Sequence, residues 1–285
     1  TYNSAIYFSR LANNKTNTFY STVLGNDIFS RKMILRFKNE KIKCDYVRTD
    51  GKNPPGLYSI EINEIGERSF SYWRDQSPSK YIFLGSKGKK LAREIKNADI
   101  FYYTGISAGI LDINQRKDLI HIGSSAVICG FDFNYRSQLH NDKKVSQLLF
   151  KKISENVDIN FVSFDDVKEL FDIKNPYEVF EILNDKKNLI LIRYKDSIIF
   201  KNKQEVIKTV KVCHGEVVDT TAAGDAFNGS FLALINNDKN IPIVENILKS
   251  HSVTREVIKH KGAIISNKNM PCLLYTSDAA DDRIC

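Results

Sequence analysis

Short apolar runs alternate with stretches of helical spacing along most of the chain. Strands are expected over Phe19 to Leu24, Ile100 to Tyr103, Ala126 to Phe133, Ile159 to Phe164 and Leu189 to Tyr194. Between them, apolar residues recur at helical intervals in Asp27 to Phe37, Leu91 to Ile95, Gln115 to Ile122, Val145 to Val157 and Tyr177 to Leu183. Strand followed by helix, repeated in this way, predicts an α/β fold with a parallel sheet covered by helices on both faces. There is no internal repeat and no Pro/Gly/Ser-rich linker.

One segment breaks the rhythm. Gly56 to Asp75 (GLYSIEINEIGERSFSYWRD) reads as two period-2 runs around a turn at Glu64, Ile65 and Gly66, which predicts a β-hairpin. Alternation places Tyr58, Ile60 and Ile62 on one face of the first strand and Phe70, Tyr72 and Arg74 on one face of the second. A face of aromatics and arginine on an excursion from an α/β core suits a lid over a polar ligand. An edge hairpin whose Tyr and Arg merely cover apolar surface is the alternative.

Composition narrows the classes. A chain of 285 residues, 42% of them hydrophobic, is long enough to bury a full core, which argues against disorder. No run approaches the roughly 18 apolar residues of a membrane span, and the first residues lack a signal-peptide pattern. A cytoplasmic protein without membrane partners is therefore expected. Five scattered cysteines without a CxxC pair fit reduced thiols rather than a disulfide framework or a zinc site. The formal charge of +8 comes from basic residues interleaved with acids, with short clusters at Lys87 to Lys90 and Lys186 to Lys187. That pattern argues against nucleic acid, while a mildly positive field favours anionic substrates.

The stretch VVDTTAAGDAFNGSF, Val217 to Phe231, carries the most chemistry. An apolar run ending near Val218 reads as a strand, and a helix is expected from about Gly224 to Ile235. Unpaired amides at the start of that helix, backed by its dipole, form an anion hole. The small side chains of Ala222, Ala223 and Gly224 leave room for a phosphoryl group to approach. Asp225 repels phosphate, so anion binding does not explain it. It makes sense as the base that accepts a proton from an attacking hydroxyl. An acid that only stabilises the helix dipole is the plainer reading, and it leaves the Ala-Ala-Gly run unexplained.

The ten residues Asp219 to Asn228 resemble the C-terminal signature of the PfkB (ribokinase-like) carbohydrate kinases, with Ser230 standing where a smaller residue is usual. Pro55 to Arg74, Tyr102 to Leu111, Phe131 to Arg136 and Lys261 to Ser266 resemble the branch that phosphorylates 2-dehydro-3-deoxygluconate. The resemblance implies a ribokinase-like three-layer α/β/α fold with a mostly parallel central sheet and a small β lid at about residues 45–78. It also implies ATP and Mg2+ as cofactors, with a sugar acid and ATP as small-molecule partners; a homo-oligomer is compatible with it.

A sugar acid differs from a neutral sugar by its carboxylate, which a planar arginine fork recognises well. Arg74 on the lid and Arg136 after a sheet strand are candidates, with Tyr58 and Tyr72 as hydroxyl donors. By resemblance these residues, Asn3 and Asp225 contact the sugar acid. Arg136, Ser163, Arg193 and Ala222 to Asp225 then lie on the ATP side. Where the family carries Asn-x-x-Glu, this chain has Ser163-Phe164-Asp165-Asp166. Asp166 is expected to order Mg2+ through water, and Ser163 to replace the asparagine more weakly. Tyr194 occupies a position where the family has a glycine turn, and a tyrosine tolerates positive φ poorly.

Family members begin with a further strand and a glycine pair, about thirty residues, so residues 1–271 read as an N-terminally truncated kinase domain. Residues 272–285 read as a non-native tail, with a natural acidic tail as the alternative. The rival functions are a kinase for fructose or 2-dehydro-3-deoxygalactonate, and a non-catalytic sugar-binding protein on the same fold.

Overall fold

The computed structural model describes residues 1–62, 68–183, 188–202 and 206–272. The expected hairpin turn at Glu64 to Gly66, the Lys186–Lys187 pair and all but Cys272 of the tail lie outside these residues.

The chain opens with α1 (Tyr2–Leu11), β1 (Thr22–Val23), α2 (Ile28–Asn39) and β2 (Val47–Arg48). The hairpin β3 (Leu57–Ile62) and β4 (Arg68–Trp73) follows, then α3 (Gly85–Ile95), β5 (Ile100–Thr104), α4 (Gly105–Gly109) and α5 (Ile113–Ser125). The alternation continues through β6 (Ile128–Asp132), α6 (Lys143–Ser154), β7 (Ile159–Ser163), α7 (Phe164–Phe171), α8 (Glu178–Ile182) and β8 (Leu189–Tyr194). It closes with β9 (Ser197–Lys201), β10 (Ile207–Lys211), α9 (Ala223–Asn237) and α10 (Ile243–Ile258).

Six strands form the central sheet in the order β10-β9-β8-β7-β6-β5. β5 to β8 are parallel, while β9 and β10 add an antiparallel edge. The sheet buries both faces because its strands alternate between two cores. Tyr103, Phe131, Val162, Ile190 and Ile192 point into one, with Leu91, Leu119, Phe150 and Val167 from helices α3, α5, α6 and α7. Phe161, Leu191 and Phe200 point into the other, against Phe227 and Phe231 of α9 and Ile247 of α10. The expected three-layer α/β/α arrangement is present.

Three expectations change. The run Phe19 to Leu24 contributes only Thr22–Val23, which pair in parallel with Val47–Arg48 in a separate two-stranded sheet. No strand ends at Val218. Val217 and Val218 are 51% and 45% exposed, and the amides of Val218 and Asp219 bond to the Ile258 carbonyl, which closes the C-terminus of α10. Tyr194 needs no positive φ: it stays in β8, pairs with Ser197, and the following Lys195 takes the left-handed conformation (φ 48°).

The expected hairpin is present, with Tyr58 opposite Tyr72 and Ile60 opposite Phe70. Among the described residues it pairs with no strand of the central sheet. Among the described residues no helix is long and apolar enough to cross a membrane.

Candidate active site

The parallel strands β5, β6, β7 and β8 end at Thr104, Asp132, Ser163 and Tyr194, so their carboxyl ends share one edge of the sheet, with Arg193 next to last in β8. Ligands of open α/β sheets bind at that edge. The N-terminus of α9 is brought to it by Phe227 and Phe231, which pack edge-on against Phe161 of β7. Nine consecutive residues of α9, Ala226 to Leu234, are buried. This packing seats the helix from Ala226 to Leu234 against its neighbours.

Ala222 enters α9 in the left-handed conformation (φ 62°), which costs a non-glycine residue about 1 kcal/mol. Asp219 holds this turn by accepting from the amides of Thr221 and Gly262, both at 2.8 Å. In the described hydrogen bonds Ala223 and Ala226 find carbonyl acceptors, while the amides of Gly224 and Asp225 find none. Those two amides are left as donors in the first turn of α9. A Cβ at Gly224 would stand 3.2 Å from Nη2 of Arg193, so glycine lets the guanidinium close over the helix start.

Asp225 lies in the first turn of α9. Its Oδ1 accepts from Ser4 Oγ at 2.8 Å and its Oδ2 from Asn3 Nδ2 at 2.9 Å. Gly229, one turn on, allows α1 to approach this closely, since a Cβ there would lie 2.3 Å from the Ser4 carbonyl oxygen. Burial pushes the Asp225 carboxyl up, and the hydrogen bonds from Asn3 and Ser4 pull it down. The same two donors orient the carboxylate.

Arg193 donates from Nη1 to Asn228 Oδ1 at 2.8 Å and stands 3.6 Å from Asp132 Oδ1. Asp132 is buried, and that oxygen has no hydrogen-bond partner among the described residues. Burial raises the Asp132 carboxyl, and the Arg193 charge only partly offsets it. Arg136 reaches Asp166 Oδ1 at 3.3 Å. Burial, with the charge of Asp132 next in size, pushes Asp166 up to about 6 against the pull of Arg136 and Arg193. Two carboxylates and two guanidiniums therefore interleave near the start of α9.

Beside Gly224 and Arg193 opens a cavity of about 310 Å³, walled by Ile198, Phe227, His214 and His251 among others. The hairpin residues form a cluster of their own: Tyr58 and Tyr72 lie 6.2 Å apart, and the Arg74 guanidinium stacks 4.1 Å over the Tyr72 ring. The hydrogen bonds described for Asp225 come from α1, not from this hairpin.

A family model described as "pfkB family carbohydrate kinase" matches residues 1–270. The chain belongs to the PfkB family of carbohydrate kinases. This PfkB kinase is 33% identical over 274 residues to the 2-dehydro-3-deoxygluconokinase of Haemophilus influenzae, covering 93% of this chain and 87% of the relative. It is 30% identical to the protein of that name from Escherichia coli strain K12, covering 95% and 90%. A solved fructokinase from Xylella fastidiosa with bound ATP shares the fold with a TM-score of 0.79 at 20% identity, over 95% of this chain and 86% of that one.

Sequence reasoning did not place four side chains of this kinase's site: Ser4, Tyr102, Asp132 and Asn228. The last three sit inside the motif segments quoted above, which is the signal that marks them. Ser163 closes β7 opposite Arg193 in register and makes no side-chain cap to α7, so its hydroxyl is not committed to helix capping.

The raised Asp166 carboxyl has a consequence for stability. Its folded value lies above the ordinary one, so its ionisation opposes folding; the penalty is absent near pH 4 and complete above about pH 6. The shift from 3.8 to about 6 corresponds to about 3 kcal/mol. Asp166→Asn is expected to raise the unfolding temperature of the ligand-free enzyme by several degrees at pH 8 and to change it little at pH 4. Thermal scans at the two pH values check this; an equal shift at both would show that burial of the charge is not the cause.

Proposed function

We propose that this PfkB kinase transfers the γ-phosphoryl group of ATP to the 6-hydroxyl of 2-dehydro-3-deoxy-D-gluconate in the cytoplasm. The observation that carries the chemistry is the placement of Asp225. A carboxylate held by Asn3 and Ser4 stands at the very helix start whose amides of Gly224 and Asp225 are unpaired. The relatives named 2-dehydro-3-deoxygluconokinase support the substrate, together with a lid face that offers an arginine and two phenols.

In this reading the sugar's primary hydroxyl donates to Asp225. As its oxygen bonds to the γ-phosphorus, the bond from that phosphorus to the β,γ-bridging oxygen breaks, the hydroxyl proton passes to Asp225, and ADP leaves. The charge growing on the phosphates meets the Gly224 and Asp225 amides at the start of α9 and the Arg193 guanidinium, which Asn228 orients. The cavity beside Gly224 takes the nucleoside, with Ile198 and Phe227 against the base and the histidines at its wall.

The acids near the start of α9 fit a divalent cation bound through water. Among the described residues no group of three or more His, Cys, Asp or Glu is disposed to hold a metal directly. The orphaned Asp132 Oδ1 and the raised carboxyl of Asp166 would instead accept from the waters of Mg2+. When bound, the ion supplies neutralisation of phosphate charge.

Arg74 recognises the carboxylate of the sugar acid. The Tyr72 ring under its face leaves the N–H edge free to fork. A hydrogen bond to a charged group contributes about 1.5 to 3 kcal/mol, so Arg74→Ala is expected to raise KM for the sugar acid roughly tenfold to a hundredfold. KM for ATP should change less than about twofold. Steady-state kinetics test this. Equal effects on both substrates, or fructose competing on equal terms with the sugar acid, would transfer the assignment to a neutral-sugar kinase.

A further inference from the structure

The hairpin β3–β4 is joined to the rest of the chain by two legs, residues 49–56 and 74–84. Arg48, at the end of β2, grips both. Its Nε and Nη2 donate to Asp50 Oδ1 and Oδ2 on the outgoing leg, each at 3.1 Å. Its Nη1 donates to the carbonyls of Tyr81, Ile82 and Leu84 on the return leg, at 2.9, 2.7 and 3.3 Å. The five N–H groups of a planar guanidinium allow one side chain to do both.

Each leg is also tied to the body. Leu24, next to β1, donates to the Arg48 carbonyl at 2.8 Å and accepts from the Gly51 amide at 3.0 Å. Gln115 of α5, itself buried, accepts from the Phe83 amide at 3.0 Å and donates to the Lys80 carbonyl at 2.9 Å. The legs meet again where the hairpin begins, since a Cβ at Gly56 would lie 2.7 Å from the Cβ of Arg74. Arg74 therefore takes its place from a frame that one guanidinium closes. The hydrogen bonds from Arg48 hold the Asp50 carboxyl down to about 2, so the pair stays ionised at neutral pH.

We propose that Arg48 is a positioning residue for sugar-acid recognition: it joins the two legs of the hairpin and thereby sets where the Arg74 guanidinium meets the substrate carboxylate. The proposal rests on the reading of Arg74 as the partner of that carboxylate. In this role Arg48 acts through Arg74 and not on the substrate itself.

The chain carries its own probe. Trp73 is its one tryptophan, precedes Arg74 and is 65% exposed, so tryptophan fluorescence reports on the hairpin alone. In Arg48→Ala the nanosecond component of the Trp73 anisotropy decay should gain amplitude, because a hairpin with unjoined legs moves more freely. KM for 2-dehydro-3-deoxygluconate is expected to rise roughly threefold to tenfold, a part of the Arg74→Ala effect, with KM for ATP within about twofold of wild type. Lys89→Ala, which breaks an exposed ion pair with Asp118, should leave the anisotropy decay unchanged and both KM values within about twofold. The Arg48→Ala/Arg74→Ala double variant should show a KM for the sugar acid within about twofold of Arg74→Ala, because the group being positioned is gone. Arg48→Lys keeps a charge beside Asp50 without the fork that spans both legs, so it should also raise that KM at least about threefold. It carries the test if thermal unfolding shows that Arg48→Ala does not fold. A folded Arg48 variant with wild-type KM and wild-type anisotropy, an equal rise in both KM values, or effects that multiply in the double variant overturns the proposal. Arg74→Ala is assayed alongside. If it leaves KM for the sugar acid unchanged, the reading of Arg74 fails and the proposal with it; if it raises that KM and the Arg48 variants do not, only the positioning fails.

Discussion

Asp225→Asn is expected to lower kcat by roughly a hundred- to ten-thousandfold, the range over which a positioned general base acts. The variant keeps the shape of the side chain and leaves Gly224, Arg193 and the first-turn amides of α9 in place. ATP affinity, measured by calorimetry, should therefore change by less than about threefold, or half a tenfold step in free energy. The proposed division of labour depends on this split: amides and arginine bind charge, and the carboxylate receives the proton. A variant that loses nucleotide affinity in proportion to kcat would place Asp225 in binding instead.

Arg193→Ala carries the second large effect because the guanidinium has two duties at once. It holds Asn228 at 2.8 Å and is the cation nearest the buried Asp132 oxygen, at 3.6 Å. Removing one partner of a buried pair costs about 3 to 5 kcal/mol, chiefly through the charge left behind. Asp132 can escape by taking a proton. Its folded carboxyl already lies above the ordinary value, so its ionised form opposes folding and the penalty is relieved as pH falls. Arg193→Ala should thus unfold at a markedly lower temperature than wild type at pH 8, with a smaller gap at pH 5. In the proposed assignment KM for ATP rises at least about tenfold at either pH, since a phosphate contact is lost. Arg193→Lys keeps the charge without the fork and should restore stability better than it restores KM. A gap that did not narrow with falling pH would exclude Asp132 as its source.

The most legible part of the site was the part whose chemistry is local. Ala222, Ala223, Gly224 and Asp225 stand in one run, and the helix they open begins one residue before the expected start. The hairpin was legible for the same reason, since period-2 alternation assigns the faces of its strands. Ser4 and Tyr102 were not legible, because their roles come from contact with residues more than 100 positions away, 221 for Ser4 with Asp225 and 126 for Tyr102 with Asn228. Helix α10 escaped because its buried face carries Asn246, Ser250, His251 and Thr254 among the apolar residues. Those polar groups are satisfied in place, as where Asn246 donates to the Phe231 carbonyl. Val217 and Val218 misled in the opposite sense: two apolar residues imply a strand only if a neighbouring strand takes their amides, and here the end of α10 receives them.

Substrate-dependent formation of ADP tests the central claim most directly. The protein is incubated with ATP, Mg2+ and, at equal concentrations in separate reactions, 2-dehydro-3-deoxygluconate, fructose or ribose, and the product is located by phosphorus NMR. The account predicts fast ADP release only with the sugar acid, a product phosphorylated at its 6-position, and turnover at least about a hundredfold slower in Asp225→Asn. Turnover as fast with fructose or ribose, or turnover by Asp225→Asn equal to wild type, would contradict it.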